Sequence, residues 1–144
     1  MKKFLKSFLY FFLTVYIYES FPKFKKIYIK KKSYFCIKSL NNIKKSKILE
    51  KYFIKYNFKR DRFKKKSKFI GLKNKNGIIC SGWSYYGNEW KIDEINKKIK
   101  LKKKILLYDF ETDKKFRDKG YYKLLLKIIQ NKFNGKKLII YSLS

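Results

Sequence analysis

Residues 104–141 constrain the fold more than any other stretch of the chain. Residues 104–112 (KILLYDFET) form its most strand-like run, rich in branched and aromatic side chains. From Gly120 to Phe133 the spacing turns helical. Tyr121, Leu125, Ile129 and Phe133 step by four along one side, while Lys123, Lys127, Gln130 and Asn131 share a polar face. Asn134-Gly135 stops this helix, and residues 138–141 (LIIY) read as another strand. Strand, helix and strand in this order make a βαβ crossover, whose outer strands lie parallel in one sheet.

The upstream pattern supplies the rest of that sheet. Residues 33–38 (SYFCIK) read as a strand, and Asn41-Asn42 offers a turn or helix cap. Leu49, Tyr52, Phe53 and Tyr56 predict a helix over residues 43–57. Residues 60–66 are a charge run, expected as a solvated loop or helix face. A hairpin follows: strand 68–72, turn 73–77 with an Asn76-Gly77 pair that favours positive φ, and strand 78–86. Residues 87–100 are polar and read as irregular. The order strand, helix, hairpin, strand, helix, strand predicts an α/β domain, in the α+β sense of a mixed sheet. At 144 residues there is one core. Residues 33–144 form the expected domain, and residues 1–32 an N-terminal basic and aromatic extension.

The extension holds an apolar run over residues 8–18, too short for a standard membrane-spanning helix. No small-x-small cleavage site follows it; Glu19-Ser20-Phe21-Pro22 stands there instead. A buried or interfacial segment is the leading reading, with membrane-surface association and an uncleaved signal as alternatives. The expected location is cytoplasmic, with membrane contact through this N-terminus.

The formal net charge is +30, from 40 basic and 10 acidic residues. Such a charge attracts polyanions in general. Yet only Arg60, Arg62 and Arg117 are arginines, and alanine and histidine are absent, while Ile, Asn, Phe and Tyr abound. That is the residue usage of a strongly AT-rich genome, not of a specific nucleic-acid reader, which uses arginine forks. Absence of histidine excludes a Ser-His-Asp or Cys-His nucleophile and any His-ligated metal. Cys36 and Cys80 read as small core residues, and no metal site is expected.

The turn between the strand ending near Thr112 and the helix starting near Gly120 invites an anion. A helix N-terminus offers unpaired N–H groups and the positive end of its dipole. Gly120 permits close approach, and Arg117 and Lys119 add positive charge. Neither GxxxxGK[ST] nor GxGxxG is present.

Residues 112–122 (TDKKFRDKGYY), followed by Leu124-Leu125-Leu126, resemble the acyl-CoA-binding motif of the GNAT acetyltransferase superfamily. That motif is [Q/R]-x-x-G-x-[G/A], with a hydrophobic strand before it and a helix with a Leu-Leu pair after it. Arg117 and Gly120 match its first two fixed positions, and Tyr122 stands at the small third one. A tyrosine there is similar to a branch linked to polysaccharide and cell-envelope biosynthesis. The resemblance covers residues 33–144, with Asn76-Gly77-Ile78-Ile79 matching the family's hairpin turn and Trp83 expected near the substrate side.

The resemblance implies a GNAT-like N-acyltransferase with acetyl-CoA as co-substrate, no metal, and a small-molecule amine, such as an amino sugar, as acceptor. The strand backbone from Tyr108 through Phe110 and Glu111 to Thr112 would pair with pantetheine, with Phe110 and Thr112 on the motif-adjacent face. Arg117 and the amides of Asp118, Lys119, Gly120, Tyr121 and Tyr122 would hold the pyrophosphate. Asp109 and Glu111 are the candidate catalytic carboxylates, with Asp93 and Glu94 in the preceding loop; the catalytic residue stays open. The family's fold continues with another helix and two strands after its fifth strand, and this chain stops at Ser144. The expectations are a domain lacking those elements, a homo-oligomer that completes the sheet, or a degenerate copy without catalysis. A basic module for membrane surfaces or nucleic acid is the alternative from a different class.

Overall fold

The computed structural model describes residues 15–20, 34–133 and 136–143. The basic run at residues 24–32, most of the N-terminal apolar run and the Asn134-Gly135 helix stop lie outside them.

The strands are β1 (Val15–Ser20), β2 (Tyr34–Ile37), β3 (Lys68–Asn74), β4 (Gly77–Tyr86), β5 (Glu89–Ile92), β6 (Lys97–Lys100), β7 (Ile105–Thr112) and β8 (Leu138–Leu143). Two α-helices intervene, α1 (Lys47–Lys55) and α2 (Tyr121–Lys132). Six strands form one mixed sheet in the order β1-β8-β7-β4-β3-β2, and β5 pairs with β6 in a separate two-stranded sheet. The β7–β8 pair is parallel, as a crossover through α2 requires, and the other pairs are antiparallel. This is an α+β architecture. Strand β1 runs antiparallel along β8, from Val15↔Leu143 to Ser20↔Leu138, so part of the N-terminal extension belongs to the sheet.

Alternation along the strands divides the core between the two faces. On the α1 face, Phe53, Phe69, Trp83, Leu106 and Tyr108 pack with Leu49 and Ile37. On the α2 face, Ile70, Leu72, Cys80, Ile105 and Leu107 pack under Leu125, Ile128 and Ile129. The α1 face is held by aromatic packing: Trp83 meets Phe53, Phe63 and Phe69 at ring-centroid distances of 6.2, 4.9 and 5.0 Å. Each such pair adds about 0.5–1.5 kcal/mol beyond area burial.

Several expectations need correction. The helix expected over residues 43–57 is α1 alone, flanked by 3-10 turns at Leu40–Asn42 and Asn57–Phe63. The tighter second turn packs Phe63 on Phe53 and pulls Lys59 inward. The stretch expected to be irregular at 87–100 is the β5–β6 hairpin. Asn96, with φ 51°, supplies its left-handed residue, and Ile92 is fully buried. The β3–β4 turn does not use a positive φ at Gly77. Instead the Asn74 side chain accepts from the Asn76 and Gly77 amides at 2.8 and 3.0 Å, an Asx turn.

Candidate functional site

A bulge in β7 sets the site. Ser81 pairs with Glu111 and Trp83 with Tyr108, so Asp109 and Phe110 together oppose Gly82. Asp109 takes φ 51°, the left-handed region that a side chain with a short polar tip tolerates best. The extra residue reverses the alternation downstream. Leu106 and Tyr108 face α1, yet Phe110 faces α2 and lies flat over Gly82, where a Cβ would come within 2.6 Å of its ring. Glu111 consequently returns to the α1 side, beside Tyr52. Without the bulge both carboxylates would face α2.

Beyond the bulge, β7 loses one neighbour. Its pairing with β8 covers only Ile105–Leu107 against Leu138–Ile140, while β4 follows it to Thr112. The Asp113 amide donates to the Ile79 carbonyl on the β4 side. Alternation therefore turns the Thr112 amide and carbonyl to the opposite edge. A cleft of about 960 Å³ opens there, in the size range of small-molecule sites. Tyr108, Phe110, Glu111 and Thr112 line it from the strand; Arg117, Asp118, Gly120, Tyr121 and Tyr122 line it from the turn and α2. Asp109, Asp93 and Glu94 also line it. Lys119 is not among the lining residues; its ammonium sits 5.9 Å from the Phe116 ring centre.

At the turn end, few contacts fill the space. The Asp113 side chain accepts from the Lys115 amide at 2.9 Å and starts a short 3-10 turn. Arg117 Nε donates to the Thr112 carbonyl at 3.2 Å, which ties the turn back onto β7. Asp118 and Gly120 both have positive φ, 60° and 75°. Gly120 is the N-cap of α2 and provides no side-chain acceptor, so the first-turn amides depend on something outside the helix. A Cβ at Gly120 would meet nothing within 4 Å. The space before the amides is open, and glycine is there for its backbone angle. Tyr122, 40% exposed, meets Phe110 edge-on at 5.6 Å. Burial, then the nearby Cys80, pushes its hydroxyl pKa up.

The other end is densely paired. Lys59 is 4% exposed, and its ammonium lies 3.2 Å from Glu111 Oε2 and 3.6 Å from Asp109 Oδ2. It also donates to the Tyr52 hydroxyl at 3.0 Å, and Tyr52 donates to Glu111 Oε1 at 2.5 Å. Arg62 bonds Asp109, with its guanidinium stacked near Trp83 and Tyr108 at 5.4 and 5.5 Å. Burial, and then the hydrogen bond and negative charge of Glu111, push the Tyr52 pKa far up, so its hydroxyl keeps its proton. From β5, Trp90 lies 4.6 Å from Tyr108 and forms an aromatic wall.

The charge of the cleft departs from that of the chain. Five of the ten acidic residues line it: Asp93, Glu94, Asp109, Glu111 and Asp118. Only five of the 40 basic residues do: Arg62, Lys65, Lys91, Arg117 and Lys123. The cleft is close to neutral on a strongly cationic surface.

Tyr52, Lys59, Arg62 and Trp90 were not among the expected site residues. Tyr52 reads as an apolar-face helix position, and Lys59 and Arg62 sit in or beside the charge run. One signal pointed here: six of the ten acidic residues fall between Asp93 and Asp118. Trp83, expected near the substrate, is fully buried in the aromatic core. Its ring forms the floor beneath Arg62 instead. Cys36 and Cys80 are unpaired, and burial raises both thiol pKa values. Among the described residues no group of three or more potential ligands could hold a metal, and no helix is long and apolar enough to cross a membrane. Comparison with known proteins gave no matching family model and no matching curated relative.

Proposed function

We propose that this chain is a GNAT-like acyltransferase that moves an acyl group from acyl-CoA to the amine of a small, positively charged acceptor. The observation that carries this reading is the parting of β7 from β8 directly beside an uncapped helix N-terminus. An extended ligand with amide groups can add itself to the β7 edge as a further strand. A diphosphate at its far end meets the α2 amides, the helix dipole and Arg117. Pantetheine and pyrophosphate have that order of groups. The strand order around the βαβ unit supports the reading.

The thioester then lies toward the bulge. Asp109 and Glu111 stand there, with Trp90 and Tyr108 as an apolar wall. An ammonium is drawn to the carboxylates, and a sugar ring or alkyl chain packs on the aromatics. For transfer, the ammonium loses one proton to a carboxylate or to water. The amine nitrogen bonds to the thioester carbon, the carbon–sulfur bond breaks, and the second proton lost by that nitrogen is taken up, directly or through water, by the departing thiolate. The near-neutral cleft admits a cationic acceptor that the rest of the surface repels, while the general surface charge attracts the anionic donor.

A second reading has its own observation. Both carboxylates are already paired with Lys59, Arg62 and Tyr52. A non-catalytic protein that binds acyl-CoA fits this pairing. Release of free CoA thiol from acetyl-CoA, measured with amino sugars, polyamines and amino acids, separates the two. Amine-dependent release above the background rate is expected. Saturable acetyl-CoA binding with no release for any amine would leave only the binding reading.

A further inference from the structure

The solvent side of α1 carries a residue that helix patterning does not account for. Leu49 and Phe53 face the core. Lys47, Glu50 and Lys51 precede Ile54 by seven, four and three positions and so share its side of the helix. Ile54 is nevertheless 69% exposed. Four residues on, in the 3-10 turn, Phe58 is 66% exposed, with its ring edge-on to Tyr56 at 6.4 Å. Single exposed apolar residues are ordinary. These two are the most exposed large hydrophobics among the described residues, and they are close in sequence. Exposed lysines flank them in the sequence: Lys44, Lys45, Lys47, Lys51, Lys55 and Lys64, against the carboxylates of Glu50 and of Asp61, which pairs with Lys64.

We infer that Ile54 and Phe58 form a docking patch for an anionic membrane surface. Two apolar side chains projecting from a lysine-rich face suit the headgroup boundary: the apolar tips enter, and the ammonium groups meet anionic lipids. The patch is too small for a stable protein partner. An aliphatic isoleucine gains little from base stacking, so a nucleic acid would use the lysines alone. The net charge of +30 brings the chain to such a surface, and the patch holds it there. This inference is independent of acyl transfer.

The test is co-sedimentation of the full chain with phosphatidylcholine vesicles containing about one third phosphatidylglycerol, at about 0.15 M salt. The variants are the double substitution I54S/F58S, which leaves every charge in place, and Tyr86→Ser as an exposed control elsewhere. Wild type and Tyr86→Ser are expected to bind, with the double variant weaker by about tenfold or more. A Phe58→Trp variant is expected to shift its emission to the blue on adding vesicles. Equal binding by the double variant, no binding by wild type, or an unmoved Trp emission overturns the inference. So does a single-stranded oligonucleotide whose binding drops in the double variant while vesicle binding does not.

Discussion

The two ends of the cleft are built on opposite principles. The carboxylate end is saturated: Lys59, Tyr52, Glu111, Asp109 and Arg62 satisfy one another, with Trp83 and Tyr108 beneath. The turn end is sparse: one guanidinium bond to Thr112, two left-handed residues and a helix without a side-chain cap. A saturated cluster resists change because removing a member takes a partner from the others, buried Lys59 above all. A sparse turn tolerates change in the fold and expresses it in what it can bind. Substitutions at the first end should therefore act on stability, and those at the second on ligand binding.

The largest expected effect tests the turn. Gly120→Glu puts a carboxylate among the α2 amides, where the structure has room for it. The left-handed backbone costs a non-glycine residue about 1–2 kcal/mol. Binding of acetyl-CoA is expected to fall by about a hundredfold or more, through charge repulsion and occupation of the amides. Thermal unfolding of the variant beside its titration checks both numbers. A variant that unfolds far more easily yet still binds would reverse the comparison.

At the other end, Glu111→Ala removes one of two carboxylates that face buried Lys59. A destabilisation of about 1–3 kcal/mol is expected, because Asp109 still pairs with the ammonium and Glu111 is itself 39% exposed. Urea midpoints of this variant and of Lys59→Met sharpen the point. Lys59→Met should cost less, since it removes the buried charge instead of stranding it. Equal costs would mean that the cluster is not organised around Lys59.

Between the two ends sits the bulge. Gly82→Ala would press a methyl group into the Phe110 ring. Such overpacking costs about 1–3 kcal/mol, and it should weaken acetyl-CoA binding by displacing Phe110 from the cleft wall. Stability loss with unchanged binding would show that the Phe110 side does not reach the ligand.

The smallest effect concerns alkaline pH. A tyrosine in the unfolded chain loses its proton near pH 10, whereas Tyr52 in the folded chain holds it through burial and the neighbouring Glu111. The folded state then binds more protons than the unfolded one above pH 10. The stability contributed is complete below pH 10 and declines as pH rises beyond it. Tyr52→Phe should make the stability curve less steep above pH 10, read from urea midpoints. An unchanged slope would mean that Tyr52 is not the group responsible.

The two ends also differ in how far the sequence discloses them. Strand, turn and helix at residues 105–132 are contiguous, and the periods of β7 and α2 lie plainly in the residues. The same holds for the β3–β4 hairpin. The carboxylate end draws on α1, the 3-10 turn and β7, over sequence separations of 47 and 59 residues for Arg62–Asp109 and Tyr52–Glu111. Its formation depends on one extra residue in β7. Strict alternation puts Tyr108 and Phe110 on the same face, and only the bulge at Asp109 separates them. Lys59 is hidden for a related reason: in a chain with 40 basic residues, a buried lysine looks like all the others. The β5–β6 hairpin is masked by its lysines, although Trp90, Ile92 and Ile99 carry its apolar side.

The most direct measurement is a calorimetric titration of acetyl-CoA at physiological salt into wild type, Gly120→Glu and Glu111→Gln, with ADP and inorganic polyphosphate as control ligands. The two-ended cleft predicts saturable binding to wild type and Glu111→Gln, tighter than either control, and none to Gly120→Glu. Equal binding by Gly120→Glu, or acetyl-CoA binding no better than polyphosphate, would contradict it.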